Sequence, residues 1–436
     1  MLLWPDHAEP KVHPNLGAVS RTMNLSPGLL AGKLRESSMR AFQYPDFRKL
    51  WFGAFFSFVG SWVQMVAQGW LVYDITGDRA KLAMVSFLSM LPMAVLGPFA
   101  GTLTDTQNRR ALLIWCQVIY ACNALFLAAA VHWQFVAYEQ ILVVALINGF
   151  VNCAETPTRQ SLVGTIVPPE GLSAAVPINA MTFNLARVIG PAVGGVLLRL
   201  IGAEACYVLN GISFIALISA VATIRADISA TATRSEPLMD LVREGMAYTW
   251  RDLRLRTLFF MEAATSMFGL IYLPMMPAVA KDMLRLDETG LGFAMTSVGI
   301  GGMLGLVTLM LLSERPIKAK LARYAMTVFA VALMALSVVR VPWIAFICLG
   351  ITGMTAIMQF NATNTLFQLL SPEALRGRVL AMHVWALSGS APLTLPLFGW
   401  IAQAAGVHIA IRIGATLVGI GAVLAWVHRS RLADAP

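Results

Sequence analysis

The chain has 436 residues, 58% of them hydrophobic and 13% charged, with a formal net charge of +9. A soluble chain typically carries about 25% charged residues to face water, so most of this surface must face an apolar medium. The basic excess does not mark a nucleic-acid binder, because Lys and Arg sit in short clusters between apolar runs, as orienting charge does at a membrane.

In chain order, residues 1–38 are polar, carry Pro5, Pro10, Pro14 and Pro27, and lack the apolar core of a signal peptide. They read as a disordered cytoplasmic tail, with Met39 as a second candidate start. A helix needs about 20 apolar residues to cross the hydrocarbon core. Such runs cover residues 50–73, 82–103, 111–131, 140–155, 173–198 and 205–224. After a charged stretch they resume at 257–280, 291–312, 324–339, 343–370, 379–405 and 413–427. The fold class is therefore an all-α membrane protein of twelve transmembrane helices. The domain reading is a bundle over 39–224, a cytoplasmic linker over 225–252, a second bundle over 253–428 and a tail over 429–436. Within the linker, Leu238, Leu241, Val242, Gly245 and Tyr248 recur at helical spacing, which predicts an amphipathic helix on the membrane surface.

Two six-helix bundles follow from an internal repeat. Asp46-Phe47-Arg48 before the first run matches Asp252-Leu253-Arg254 before the seventh. Pro169-Glu170-Gly171-Leu172 matches Pro372-Glu373-Ala374-Leu375, and Asp105 with Arg109 is echoed by Glu314 with Lys318. Duplicated bundles place a substrate site at their interface near the bilayer midplane.

Polar residues inside the apolar runs are costly unless they line a cavity or find partners. In the first run Ser57, Ser61, Gln64 and Gln68 share one helical face, as do Asn148, Asn152, Glu155 and Arg159 in the fourth. Glu262 and Ser266 share a face in the seventh, Thr352, Thr355 and Gln359 in the tenth, and Asn361 with Asn364 forms a second stripe there. These are candidates for cavity lining, with hydrogen bonding between helices as the alternative. Arg187 is the deepest charge, either an anion or coupling site or a clamp on backbone carbonyls. Glu155 and Glu262 are candidate proton carriers or ionised interfacial carboxylates. His383 reads as a satisfied polar residue rather than a proton relay. Gly190, Gly194 and Gly195 permit close helix contact, and Pro191 can bend its helix. Cys116, Cys122, Cys153, Cys206 and Cys348 all lie in apolar runs and have no metal-ligand spacing. The sequence shows no nucleotide-binding loop, metal cluster or nucleophile–base set, so it reads as neither an enzyme nor a cofactor protein.

The stretch Gly101-Thr102-Leu103-Thr104-Asp105-Thr106-Gln107-Asn108-Arg109-Arg110 resembles the loop signature of the major facilitator superfamily. Gly101, Leu103, Asp105, Arg109 and Arg110 match, and Thr104, Thr106 and Asn108 depart. Within the superfamily the chain resembles the branch that includes the bacterial enterobactin exporter. The residues that carry this are 70–73, 184–191 and 368–379, the last reading Gln368-Leu369-Leu370-Ser371-Pro372-Glu373-Ala374-Leu375-Arg376-Gly377-Arg378-Val379. The fourth run holds Asn148 and Asn152 where drug–proton antiporters often carry an inner arginine, and Ala186 stands where their fifth helix has glycine.

The resemblance implies a secondary transporter working by alternating access, with the first, fourth, seventh and tenth helices lining the cavity. It implies proton-driven export of a small amphipathic molecule, siderophore or drug-like. A lysophospholipid translocator and a non-transporting receptor on the same scaffold are the alternatives. It also implies a cytoplasmic gate of Asp105, Arg109, Arg110, Glu314, Arg376 and Arg378. The partners implied are substrate, protons and lipid, with a monomer in the bacterial inner membrane.

Orientation rests on charge. With the N-terminus inside, inner segments hold 24 Lys and Arg and outer loops 7, which favours cytoplasmic termini. Reporter fusions after Arg225 and Arg429 are therefore expected to report cytoplasm, and fusions near Asp78 and His132 periplasm. A periplasmic signal after Arg225 would overturn the helix count.

Overall fold

The computed structural model describes residues 40–106, 108–225, 238–312, 315 and 317–432; for 97–106, 238–242, 374 and 431–432 it describes the backbone alone. The N-terminal tail, residues 226–237 of the linker, Glu314 and the last four residues lie outside the described residues.

Ten helices among the described residues are long and apolar enough to cross a membrane, and a pair bent by 46° makes eleven. They are Pro45–Thr76 (span 1), residues 79–106 (span 2), Arg109–His132 (span 3), Tyr138–Ile166 (span 4), a long stretch Pro169–Ala222, the bent pair Leu253–Tyr272 with Met276–Met283 (span 7), Glu288–Leu311 (span 8), Lys318–Val338 (span 9), Pro342–Leu370 (span 10), Arg376–Ala405 (span 11) and Val407–Val427 (span 12).

The 54-residue stretch Pro169–Ala222 would, at about 1.5 Å per residue, be far longer than a bilayer is thick. It breaks at Gly202, whose φ of 81° and ψ of 176° lie outside the helical region and suit a residue without a Cβ. Its two ends return to one side: a Cβ on Gly171 would strike the Tyr44 ring, and the Thr223 carbonyl accepts from Lys49 Nζ at 2.8 Å. The stretch is a helical hairpin of residues 169–201 (span 5) and 203–222 (span 6).

Span 4 runs to Ile166, well past the 155 read from sequence, because Thr158, Ser161 and Thr165 hydroxyls turn back onto carbonyls of the preceding turn. Arg159 is therefore a buried helical residue. Span 9 starts at Lys318, ahead of the Tyr324 inferred from hydropathy, since its basic first turn is helical but lies beyond the apolar run. The linker helix Leu238–Arg251 is present as expected, and Gly245 packs on the Arg378 backbone at the start of span 11. Asp252 caps span 7 by accepting from the Arg254 amide at 2.7 Å. Burial pushes its carboxyl up, and the Arg254 side chain and amide outweigh that and hold it below the ordinary value.

Spans 7 and 11 are irregular at the same depth. Span 7 passes through a π segment Thr265–Gly269 and a 3-10 turn Leu270–Tyr272, and span 11 through a π segment Trp385–Gly389 and a 3-10 turn Ala391–Leu393. Backbone groups freed by such breaks need partners inside a bilayer. The two helices supply them to each other: Ser266 Oγ donates to the Leu387 carbonyl and Thr394 Oγ1 to the Met267 carbonyl, each at 2.5 Å.

Within the first half, span 1 packs on spans 5 and 6, span 3 on span 6, and span 2 on span 4; in the second, span 10 packs on spans 8 and 9, and span 9 on span 12. The halves meet through spans 5 and 8 and through spans 2 and 11. Small residues set these approaches. A Cβ on Gly353 of span 10 would stand 2.1 Å from the Val298 carbonyl of span 8, whereas one on Gly164 would meet nothing within 4 Å. Gly353→Ala is expected to cost about 1–3 kcal/mol of overpacking and to lower the melting temperature in detergent, while Gly164→Ala leaves it unchanged or raised. Equal melting temperatures for both variants would refute the close 8–10 contact.

Candidate functional site

Residues 44–49, 108–110, 166–171, 222–225 and 370–378 lie at one end of the helix array, called here the tail end; 73–81, 199–204, 281–288 and 403–408 lie at the far end. Among the described residues, the hydrogen bonds and ion pairs joining the halves run from mid-depth to the far end. At mid-depth Thr296 Oγ1 donates to the Val188 carbonyl at 3.0 Å. At the far end Asp282 of span 7 accepts from Arg79 at 2.6 and 2.8 Å and from the Tyr73 hydroxyl at 2.5 Å. Lys281 pairs with Asp74 at 3.0 Å and lies 5.3 Å over the Trp70 ring. Arg199 pairs with Asp287, and the Arg79 amide donates to Gln403 Oε1 at 2.9 Å. This latch closes the far end.

None of the charged latch residues was singled out from sequence, and Trp70 and Tyr73 entered only through the resemblance carried by residues 70–73. The available signal was the repeat itself: Asp74 and Arg79 flank the loop between spans 1 and 2, and Asp282 and Asp287 flank its counterpart between spans 7 and 8.

The polar stripes divide in two. Several members are committed to neighbouring helices. Gln64, 7% exposed, accepts from Asn210 Nδ2 of span 6 at 2.6 Å. Asn148 Oδ1 accepts from Asn123 Nδ2 of span 3 at 2.8 Å. Gln359 is fully buried between spans 10 and 7, donating to the Met261 carbonyl and accepting from Thr265 Oγ1, both at 3.0 Å. Ser266 is spent on the break in span 11, and the Thr355 hydroxyl returns to the Ile351 carbonyl of its own helix at 2.7 Å. These contacts have a common reason: periodicity identifies a helix face but not what that face meets. Ser61, Gln68 and Asn361 are half-buried and Asn152 is exposed. The glycines of span 5 lie at close contacts. Gly190 and Gly194 pack on span 1 at Trp62 and Val63, Gly195 meets Gly292 of span 8, and the Pro191 carbonyl lies against that same Gly292.

The carboxylates also separate. Glu155 accepts from Arg159 Nε one turn on, at 2.8 Å, and the Arg159 guanidinium lies 4.5 Å over the Phe58 ring. This pair is complete within one helix and its aromatic neighbour. Glu262 is fully buried; its Oε2 lies 2.7 Å from His383 Nδ1 of span 11, and its Oε1 has no partner among the described residues. Phe367 covers the imidazole, with ring centroids 5.6 Å apart. The pair joins the two broken helices. His383 thus has a polar partner, and that partner is Glu262.

Arg187, near the middle of span 5, is half-buried, and among the described residues its guanidinium makes no hydrogen bond or ion pair. The carbonyl clamp is not formed.

At the tail end, the Asp105 side chain and Glu314 lie outside the described residues. Arg110 donates to the Ala222 and Ile224 carbonyls at 3.2 and 2.7 Å, closing the end of span 6, and Arg109 reaches Thr165 at 3.4 Å. Both contacts stay within the first half. Arg378 pairs with Glu244 of the linker helix, and Arg376 is exposed.

Two helical halves, closed at one end by ion pairs and carrying polar residues between the helices, have the arrangement of a membrane transporter of the major facilitator type. The chain belongs to the transmembrane secretion effector family, whose profile it matches over residues 36–435. It is 25% identical over 385 residues to the multidrug efflux pump Tap of Mycolicibacterium fortuitum, covering 85% of this chain and 93% of that one. It is 22% identical to the staphyloferrin A transporter of Staphylococcus aureus, covering 76% and 83%. Its fold matches the nucleoside transporter NupG with a TM-score of 0.72 at 15% identity, over 88% of this chain and 99% of that one.

Asp282→Asn removes the negative charge shared by Arg79 and Tyr73. A loss of about 1 kcal/mol corresponds to about a fivefold shift in population. Labelling of Gln68→Cys by an impermeant thiol reagent from the far side, in a background lacking the native cysteines, is expected to rise by that factor. Unchanged labelling would show that the latch does not hold the far end shut.

Proposed function

We propose that this chain exports a small amphipathic molecule, drug-like or siderophore-like, across the bacterial inner membrane by alternating access, with inward proton flow as the driving force. Efflux and siderophore transport by its relatives support the cargo class. With Pro169–Ala222 counted as a hairpin and the bent pair as one crossing, the chain passes the membrane twelve times, in bundles over 39–224 and 253–428, as a monomer. The charge bias puts the tail end in the cytoplasm, so the arrangement described is closed to the periplasm. Ser61, Gln68, Asn152 and Asn361 are left as the polar lining of the cavity. The tail-end gate is built from Asp105, Arg376, Arg378 and Glu314, with Arg109 and Arg110 beside it.

The observation that carries the coupling is the Glu262–His383 pair. With one proton between carboxyl and imidazole the pair carries no net charge and joins spans 7 and 11 beside their breaks. One added proton leaves a buried net positive charge. Breaking a buried pair costs about 3–5 kcal/mol, of the order needed to reverse a two-state equilibrium. The breaks make spans 7 and 11 the deformable elements on which that energy acts. Glu155, paired within its own helix, has no such leverage.

Efflux of ethidium from energised vesicles tests this. Glu262→Gln and His383→Gln are each expected to lower gradient-driven efflux by about tenfold or more, the consequence of losing a few kcal/mol of state-dependent interaction. Exchange without a gradient should persist. Full gradient-driven efflux by both variants would refute the assignment.

A further inference from the structure

Other arginines inside the spans have partners. Arg159 pairs with Glu155, Arg323 Nη1 donates to the Arg429 carbonyl at 3.3 Å and lies 5.1 Å over the Trp426 ring, and Arg412 reaches Ser337. Arg187 differs. Its backbone carbonyl is pressed against Gly299 of span 8, and the adjacent Val188 carbonyl accepts from Thr296. It therefore stands beside the level at which spans 5 and 8 hydrogen-bond. Its guanidinium crosses from the first half to the second. Nη1 comes within 3.9 Å of where a Cβ would stand on Gly302, beside the half-buried Ile357, and Tyr272 of span 7 is its ionisable neighbour. The Tyr272 hydroxyl is already bonded to Thr352 of span 10 at 3.2 Å.

A guanidinium has five N–H donors in a planar fork and stays charged. At bilayer depth such a group is costly without an anion, carbonyls or water around it. Here the fork reaches the narrow space beside Gly302, where a Cβ would stand 3.2 Å from Ile357 Cγ1 and 3.9 Å from the Gly353 carbonyl, and among the described residues no acceptor hydrogen-bonds to it. We infer that Arg187 is the recognition site for an anionic group, of carboxylate type, on the transported molecule. The site is split between the halves: span 5 supplies the charge, and spans 7, 8 and 10 supply the walls. A bound anion therefore bridges the two halves at the depth where they pivot. This inference rests on the exporter reading and adds the charge of the cargo to it.

The test uses an acid and its neutral isostere, 1-naphthylacetate and 1-naphthylacetamide, on purified protein in nanodiscs of zwitterionic lipid. A charge-assisted hydrogen bond predicts about ten- to hundredfold tighter binding of the acid by the native protein. Arg187→Gln is expected to bring the ratio of the two dissociation constants close to one, and Arg187→Lys to keep part of it. Gly302→Val, which fills the space and leaves the charge, should also lower the ratio, so the test survives if Arg187→Gln fails to fold. Repeating the titration with anionic lipid separates the sources: suppression of acid binding by phosphatidylglycerol would show that the site takes a lipid phosphate instead, and would overturn the proposal. No preference for the acid in the native protein, or an undiminished preference in Arg187→Gln and Gly302→Val, would overturn it as well. Energised efflux of the amide by the native protein is read in parallel, so the exporter reading stands or falls on its own.

Discussion

A backbone carbonyl without a partner in hydrocarbon costs several kcal/mol, and much of this architecture answers to that constraint. Straight helices meet it alone. Spans 7 and 11 do not, because Pro274, Pro277, Pro392 and Pro396 lie in or beside their irregular segments. Each is completed by a hydroxyl of the other, Ser266 on Leu387 and Thr394 on Met267. The broken helices are therefore one unit, and the Glu262–His383 contact belongs to the same unit. A change in that contact acts on helices already able to bend.

The contacts between the halves are of a different grade. The 5–8 seam is backbone against backbone, with Gly195 on Gly292 and Gly299 on the Arg187 carbonyl. Such contacts survive a rocking motion because no side chain has to be withdrawn. The far-end latch is made of partly exposed pairs, with Arg79 and Asp282 near one quarter exposed. Exposed ion pairs are individually worth about 0–1 kcal/mol, so several can close a gate without trapping it. A glycine seam as pivot and weak ion pairs as latch are the combination that a two-state carrier requires.

Much of this was legible in the residues. The apolar runs located the spans, because length and hydropathy are set by the bilayer. The repeat gave the two halves, and the linker helix followed from its amphipathic spacing. The site was legible only in part. Periodicity placed Gln64 and Gln359 on polar faces correctly, yet both faces turn to a neighbouring helix, which no one-dimensional pattern encodes. In span 7 Glu262 and Ser266 do share a face, and that face turns to span 11, at His383 and Leu387. His383 met Glu262 across 121 positions of chain, and the latch joined residues more than 200 apart. Long-range pairing of single residues leaves no local signature.

The two halves derive from one pattern but have diverged in how they hold charge. In the first, Asp46 accepts from the Arg225 amide, Glu155 pairs with Arg159 a turn away, and spans 1 to 4 are continuous. Each of these contacts lies within the first half, so none changes when the halves rock. In the second, Glu262 reaches another helix, Arg378 reaches the linker, and two spans are broken. Charges whose partners lie on separately movable elements report conformation; charges satisfied within a rigid element do not. On that ground the Glu262–His383 and Arg378–Glu244 contacts are ones a change of conformation would disturb, and the Glu155–Arg159 pair is not.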